Sequence, residues 1–172
     1  NEKYARKILQ FNNPRDAFAT AQFYLGIDVN TTDTAEWDKA LDKLKEQKPL
    51  LGGYVMDEIF NKMETGEAAV SSYYAGDYFT MYCENEDLSF YYPKEGTNKF
   101  VDAMCIPKDS KNKEAAELYI NFLLDPEVCK QNAMYLCYEC PNTAVREDEE
   151  YLEFLTEELH PDAYELLYGE EV

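Results

Sequence analysis

The residues of this sequence best suited to chemistry are carboxylates placed beside aromatic side chains at the ends of predicted elements. Carboxylates pair with the charged ends of an alkyl-ammonium ligand, while aromatic rings cover its methylenes and attract its cations. In open α/β sheets, ligands bind at the carboxyl ends of strands, where Asp77 is predicted to lie. The pattern therefore favours a binding site for a cationic amine. The residues concerned are Asp16, Tyr74, Asp77, Phe100, Asp102 and Tyr138.

Each of these residues also has an ordinary structural explanation. Asp16 suits the first turn of a helix, Asp77 suits a turn, and Asp102 suits the end of a strand. Tyr74 and Phe100 suit a hydrophobic core. No single residue identifies the site, so the prediction depends on their combination.

The charge balance narrows the classes of partner. The 172 residues include 35 acidic and 16 basic side chains, which give a formal net charge of −19. Nucleic-acid binders carry basic surfaces, so a nucleic-acid partner is disfavoured. An acidic surface raises the local concentration of cations and permits a cationic ligand, although most of these charges are expected simply to be solvated. The sequence contains no apolar run of transmembrane length and no signal-peptide pattern.

Motifs typical of enzymes are missing from the sequence. It has no phosphate loop, HExxH or GxSxG pattern, and His160 is its one histidine, which disfavours a Ser-His or Cys-His catalytic pair. We therefore predict no enzyme, and neither a cofactor nor a bound metal. The alternative is a thiol enzyme or metal protein built on the CxxC of Cys137 and Cys140. Because the chain has five cysteines and no second CxxC, structural thiols are favoured instead.

Helix signals alternate with strand signals along the chain, which predicts the α/β class. Asn13 and Pro14 open a first helix that Gly26 ends, and Asp33 opens a second. Further helices are predicted over residues 55–63, 113–124 and 126–136, followed by two acidic helices that end near Tyr168. Strands are predicted over residues 4–9, 68–74, 88–92 and 100–106, with a chain break at 49–53.

Several short motifs follow one another along the chain. INFLLDPE at 120–127 is typical of solute-binding proteins in general. The other motifs are NNPRD at 12–16, NTTD at 30–33, GE at 66–67, YPKEG at 92–96, FVD at 100–102, IP at 106–107, KNKEAA at 111–116, Tyr138, and PN at 141–142. In their order and spacing these motifs resemble those of the spermidine/putrescine-binding proteins of bacterial ABC importers, and YPKEG and NTTD point most narrowly to this polyamine group.

The resemblance implies a periplasmic-binding-protein type II-like fold, in which a ligand is clamped between two lobes, each a mixed sheet flanked by helices. It matches Phe100 and Asp102 to a ligand motif whose acid pairs with an ammonium group. It matches Tyr74 and Asp77 to a Trp-Ala-Gly-Asp motif of putrescine-type members. The implied function is the non-enzymatic substrate-binding component of an importer, which passes polyamine to permease subunits.

The resemblance also matches Asp16 to a further acidic ligand and Tyr138 to a ligand tyrosine. Tyr74 replaces the family's tryptophan, which keeps a ring but changes the shape of the pocket. Asn13, a further candidate ligand, stands where spermidine-binding members often have an acid, which weakens recognition of an extra amine. CYEC at 137–140 replaces a Gly-Tyr-Pro-Thr-like turn. Together these differences lean toward a diamine.

The chain is shorter than members of the family. The resemblance implies that residues 1–101 form the second lobe, that 102–147 cross to the first lobe, and that 148–172 return, with the N-terminal part of the first lobe absent. We therefore expect exposed apolar surface and self-association of the isolated chain. The implied location is periplasmic or extracellular, with attachment to the membrane through a lipid anchor or a fused permease. Within the same fold, the alternative ligand is another small solute.

Overall fold

The computed structural model describes residues 2–169, which form two compact units, and it confirms the predicted α/β class. Unit 1 contains residues 2–74 and 81–99, and unit 2 contains residues 75–80 and 100–169. The strands are β1 (Ile8–Phe11), β2 (Leu51–Val55) and β3 (Val70–Ser71). The α-helices are α1 (Pro14–Leu25), α2 (Thr34–Gln47), α3 (Glu58–Glu64), α4 (Ala75–Glu84), α5 (Lys113–Leu123), α6 (Pro126–Leu136), α7 (Thr143–Arg146), α8 (Glu149–Glu153) and α9 (Ala163–Tyr168). Tighter turns span Glu2–Tyr4 and Lys48–Leu50, and a π-helical turn, Phe154–Leu159, continues α8.

Unit 1 is built on a three-stranded sheet in the order β2-β1-β3. Both strand pairs are parallel, where a mixed sheet was predicted, and Ile8 of β1 pairs with Leu51 on one side and Val70 on the other. Parallel neighbours need crossover connections, which the helices of unit 1 supply. The core on β1 is formed by Leu9, Val55, Ile59, Ala68 and Met81.

The first two helices begin where their capping residues predict. The Asn13 side chain accepts a hydrogen bond from the Arg15 N–H, and Gly26 ends α1 with a left-handed φ of 67°. The Asp33 side chain accepts from the Ala35 N–H at the start of α2. The two helices pack through Phe18, Ala21, Ala40 and Leu44.

The edge strand β2 lies where the sequence predicts a chain break. Gly52 and Gly53 suggest a turn, but a Cβ added at Gly52 would lie 2.6 Å from the Arg6 carbonyl oxygen. Glycine at this position therefore permits a close approach of two backbone segments. The sheet also has a register shift between Ile8 and Leu9. The predicted strand over 4–9 is displaced to Ile8–Phe11, and that over 68–74 shrinks to Val70–Ser71.

Two further strand predictions, over residues 88–92 and 100–106, are wrong. Within the described residues neither segment pairs with another strand. Their β-branched and aromatic residues favour extended backbone, but a strand also needs a neighbour for its N–H and C=O groups. Tyr91 is 75% exposed and Val101 is 85% exposed, so these side chains are not packed on a sheet face.

Unit 2 is mainly helical, and α5 and α6 begin and end close to their predicted limits. Its core includes Tyr151, Leu155 and Ala163, all fully buried, together with Val145. Lys130 of α6 is buried and forms ion pairs with three acids, Glu127, Asp148 and Glu150. These contacts join α6 to the start of α8.

Among the helices of the described residues, none is both long and apolar enough to cross a membrane.

Candidate functional site

The most organised acidic group of unit 1 is the carboxylate of Asp16, in the first turn of α1. It is 6% exposed, although first-turn acids commonly face solvent. One oxygen accepts a hydrogen bond from the Tyr74 hydroxyl at 2.7 Å, and the other accepts from the Asn98 amide at 3.0 Å. Across residues 2–169, no Lys, Arg or His forms an ion pair with it. Both donors are neutral, so the negative charge is oriented without being cancelled.

The Tyr74 hydroxyl is fixed from both sides by unit 1. Tyr74 precedes α4 in an extended conformation, with φ −86° and ψ 143°. Burial and then the hydrogen bond to Asp16 raise the pKa of Tyr74 to about 12, whereas the Asn13 side chain acts on the same hydroxyl to lower this pKa. Tyr74 therefore stays protonated as a donor at neutral pH. The structure thus brings together three of the predicted site residues, Asn13, Asp16 and Tyr74.

Aromatic rings form a wall beside this carboxylate. Phe11, the last residue of β1, lies 5.1 Å from the Tyr74 ring and is stacked on Tyr73 at 5.8 Å, measured between ring centroids. Tyr73 and Tyr74 are 4.9 Å apart. An acid beside ring faces suits an alkyl-ammonium group, because the rings attract the cation and cover the methylenes.

Sequence reasoning missed three members of this cluster. Phe11 and Tyr73 could have been found, because each lies at or just after the carboxyl end of a parallel strand. Asn98 had no such signal, since it lies in a segment without regular secondary structure, 82 residues from the acid it contacts.

The other predicted site residues belong to unit 2. Asp77 lies in the first turn of α4, and the Tyr138 ring packs directly on Gly76, where any Cβ would overlap its ring atoms. Phe100 is 47% exposed. Asp102 is exposed and forms no hydrogen bond or ion pair within the described residues, and the strand predicted to carry it is absent. Among the described residues, Asp102 therefore lacks the hydrogen-bonded frame that holds Asp16.

A cleft of about 320 Å³ lies between α1, α2 and β2, and its lining includes Phe11 and Asn13, which also lie beside Tyr74. Its walls include Phe18, Leu44 and Tyr54, and its rim carries Lys45 and Lys48. Lys48 repels a cationic ligand, whereas Lys45 forms an ion pair with Asp42 at 2.9 Å. The lysine end of the cleft is therefore a poorer place for an amine than the Asp16 carboxylate.

The alternative interpretation places a metal or thiol site on the cysteines, and the structure shows what surrounds them. Within residues 2–169, His, Cys, Asp and Glu side chains form no group of three that could hold a metal ion. The buried Cys137 sulfur donates toward the Met134 carbonyl oxygen at 3.5 Å, and the Cys140 sulfur faces Cys129.

Comparisons with known proteins agree with this description of the fold. The spermidine/putrescine-binding periplasmic protein of Salmonella typhimurium is 33% identical over 168 residues, covering 98% of this chain and 48% of that protein. The structure of the spermidine/putrescine ABC transporter substrate-binding protein PotD from Streptococcus pneumoniae has a TM-score of 0.70 and 32% identity, covering 87% of this chain and 47% of that one. A structure from Listeria monocytogenes reaches a TM-score of 0.85 at 32% identity, covering 99% of this chain and 50% of that one.

The chain thus spans about half the length of the relatives it matches. Its α/β fold, with a parallel sheet flanked by helices, is that of the periplasmic binding proteins with which it aligns. The sequence profile described as bacterial extracellular solute-binding protein matches residues 1–153. The chain therefore belongs to this family of solute-binding proteins.

Proposed function

We propose that this chain is part of the polyamine-binding component of an ABC importer, which captures putrescine or spermidine and delivers it to a membrane permease. The observation that carries the proposal is the buried Asp16 carboxylate, which neutral donors orient and no basic side chain of the described residues neutralises. Similarity to proteins named for spermidine and putrescine supports the choice of ligand.

The proposed role of Asp16 is to accept hydrogen bonds from one ammonium group of the ligand. Tyr74 and Asn98 hold the carboxylate, so the ligand does not have to order it. A hydrogen bond to a charged group contributes about 1.5–3 kcal/mol. A ring face adds roughly 0.5–2 kcal/mol, depending on how far the cation is desolvated. Phe11 and Tyr73 extend the aromatic surface that Tyr74 begins.

In the same proposal, four further predicted residues bind the rest of the ligand. Asp77 and Asp102 are assigned to a second ammonium group, and Phe100 and Tyr138 to the aliphatic chain between the charges. Asn13, which acts on the Tyr74 hydroxyl, is assigned to shaping the Asp16 end of the site. A diamine needs carboxylates at two places only, which favours putrescine over spermidine.

We also propose that residues 1–101 form the second lobe of a two-lobed protein, that 102–147 cross to the first lobe, and that 148–172 return. Helix α5 supports this division, because Leu118, Tyr119 and Phe122 are each more than half exposed. An amphipathic helix normally buries its apolar face, and here the first lobe would cover it. The isolated chain should then self-associate, and a clean monomer on sizing chromatography would contradict this expectation.

The proposed location is the periplasm or the cell exterior, where the named relatives work. Attachment to the membrane would come from a lipid anchor or from a permease in the same polypeptide. Delivery then depends on a permease that recognises the closed, ligand-bound lobes.

The test is calorimetric titration of the two-lobed protein, that is, this chain expressed together with its first lobe. Putrescine, spermidine, an amino acid and a quaternary amine are titrated in parallel, at matched ionic strength. We expect heat with putrescine or spermidine and none with the other solutes. Heat with the amino acid or the quaternary amine alone would overturn the polyamine assignment and leave the family assignment intact.

A further inference from the structure

Two cysteine sulfurs of unit 2 lie in contact although the sequence does not pair them. The Sγ atoms of Cys129 and Cys140 are 3.5 Å apart, and the residues are 11 positions apart in the chain. The CxxC pattern in the sequence pairs Cys137 with Cys140. The structure instead places the sulfur of Cys140 against α6, at the residue one turn after its start.

The chain reverses at the end of α6 and brings Cys140 back along this helix. Cys137 ends α6 with a φ of 58°, a left-handed conformation that turns the backbone. The Asn142 side chain then donates to the Leu124 carbonyl oxygen, next to the start of α6. This hydrogen bond ties the segment 137–142 to the N-terminal end of α6 and sets Cys140 beside Cys129.

A buried network fixes the backbone of Cys140. Its N–H donates to the Tyr168 hydroxyl at 2.7 Å, and that hydroxyl bonds to the Tyr151 hydroxyl at 2.8 Å. Tyr151 is fully buried in the core of unit 2, and Arg146 covers the Tyr168 ring at 4.7 Å. The position of Cys140 therefore follows from the packing of α7, α8 and α9.

We propose that Cys129 and Cys140 are a redox modification site that closes to a disulfide bond when it meets a small-molecule disulfide. The Cys129 thiolate attacks one sulfur of oxidised glutathione, which forms a mixed disulfide and releases one glutathione thiolate. The Cys140 thiolate then attacks the Cys129 sulfur and releases the second. Two protein thiols are oxidised, one glutathione disulfide is reduced to two thiols, and the two protein protons go to solvent or to the released thiolates.

The order of these steps follows from burial. Cys129 is half-buried, whereas Cys140 is 3% exposed, so the external disulfide reaches Cys129 first. Burial raises the pKa of Cys140 to about 11, the adjacent Cys129 adds to this shift, and the Asn142 N–H and Arg146 oppose it. The thiolate fraction of Cys140 is therefore small at neutral pH, and the rate of closure should rise with pH as this fraction grows.

The sulfurs need to approach from 3.5 Å to about 2.05 Å, a shift that α6 and the following segment can share. The bond would staple the segment 137–142, which carries Tyr138, to α6. Disulfides persist in oxidising compartments outside the cytosol, in keeping with a family named for extracellular proteins. The inference concerns the thiols alone and stands apart from the proposed ligand.

Peptide mapping distinguishes the possible bonds, because the cleavage sites separate the three cysteines. Trypsin cuts after Lys130 and leaves Cys129 in one peptide and Cys137 with Cys140 in the next. Glutamyl endopeptidase then cuts after Glu139, between Cys137 and Cys140. After incubation with oxidised glutathione and without reduction, we expect the peptide of Cys129 to be joined to the one that begins at Cys140.

Matched variants complete the experiment. Cys83 and Cys105 are exposed, so the C83S/C105S chain is the starting protein, which prevents cross-links between copies. In this background C137S should still close the bond, whereas C129S should stop at glutathione adducts or free thiols. Circular dichroism of each variant checks that the helices form. A bond between Cys137 and Cys140 in the C83S/C105S chain would overturn the proposal. So would a C83S/C105S chain that folds and stays reduced during incubation with oxidised glutathione at pH 8–9.

Discussion

Asp16 of unit 1 and Asp102 of unit 2 are assigned to the same task, yet their surroundings are opposite. Asp16 is buried and both of its oxygens accept hydrogen bonds from neutral side chains. Asp102 is exposed on a segment without regular secondary structure and makes no such contact with any residue between 2 and 169. One carboxylate is set in place by its own unit, and the other is free to change rotamer.

The difference shows what each unit can contribute to binding. A group that is already oriented costs little entropy when a ligand arrives, whereas an exposed side chain is ordered at the expense of binding free energy. The Asp16 end of the proposed site is thus preorganised by unit 1. The Asp102 end depends on the ligand, or on chain that covers it, to define its geometry.

The largest expected effect comes from replacing each acid in the two-lobed protein. Asp16→Asn and Asp102→Asn should each weaken polyamine binding about 10- to 100-fold, because each removes a hydrogen bond from an ammonium group to a charge. Only Asp16→Asn should also lower the free energy of unfolding, since it replaces two hydrogen bonds to a charged carboxylate by weaker ones to a neutral amide. Calorimetry measures the affinity and urea denaturation measures the stability.

Asp38→Asn is the control for these substitutions, because Asp38 is an exposed acid on α2. It should change neither affinity nor stability beyond the error of measurement. Equal losses of stability in Asp16→Asn and Asp102→Asn would remove the contrast between the two acids. Unchanged affinity in Asp16→Asn would contradict its assigned role.

The helix ends of unit 1 are predictable from the sequence because their signals are local. Asn13, Gly26 and Asp33 act within one turn of the helix that each bounds. Strands are harder, since pairing is decided by distant residues. Gly52 suggests a chain break in the sequence, but in the structure it lets the Arg6 backbone approach closely. Residues 100–106 have the composition of a strand, but no strand between residues 2 and 169 pairs with them.

The residues of the candidate site likewise differ in whether a local sequence signal marks them. Asp16 and Tyr74 could be chosen from their positions at element ends, and the structure joins them. The hydrogen bond from Asn98 could not be predicted, because nothing near Asn98 in the sequence marks it as a partner of Asp16. The Cys129–Cys140 contact is similar, since it depends on how the chain turns after α6.

A smaller effect is expected from Gly76→Ala, which tests how Tyr138 is held in unit 2. Tyr138 packs on the bare backbone of Gly76, and the added methyl group would overlap the Cγ, Cδ2 and Cε2 atoms of the ring. Such overpacking typically costs about 1–3 kcal/mol. Gly53→Ala is the matched control, because nothing lies within 4 Å of its added Cβ.

Thermal and urea denaturation of both glycine variants measure the difference. A loss in Gly76→Ala that Tyr138→Ala relieves would show that the ring is the obstacle. Equal stability of the two alanine variants would instead mean that Tyr138 moves aside freely. The Tyr138 ring would then not be held in place by its contact with Gly76.

The smallest expected effect is that of Tyr74→Phe, which tests the frame around Asp16 without touching the acid. The variant keeps the ring but removes one donor, and it should lower the free energy of unfolding by about 1.5–2 kcal/mol, the lower part of the range for a hydrogen bond to a charged group. Tyr24→Phe, at a 66% exposed tyrosine, is the control and should be neutral.

The pH dependence of this effect tests whether the folded state keeps the Tyr74 phenol protonated. Folding raises the pKa of Tyr74 from 10.0 to about 12, so the folded state favours the neutral phenol. The stabilisation is complete below pH 10 and is lost as the pH rises from 10 to about 12. The wild-type chain should therefore lose more stability than Tyr74→Phe over this interval, while both show the same contribution from the other titrating groups. Parallel pH profiles of the two chains would mean that the phenol is not held by Asp16, and the contrast between the buried and the exposed acid would then rest on burial alone.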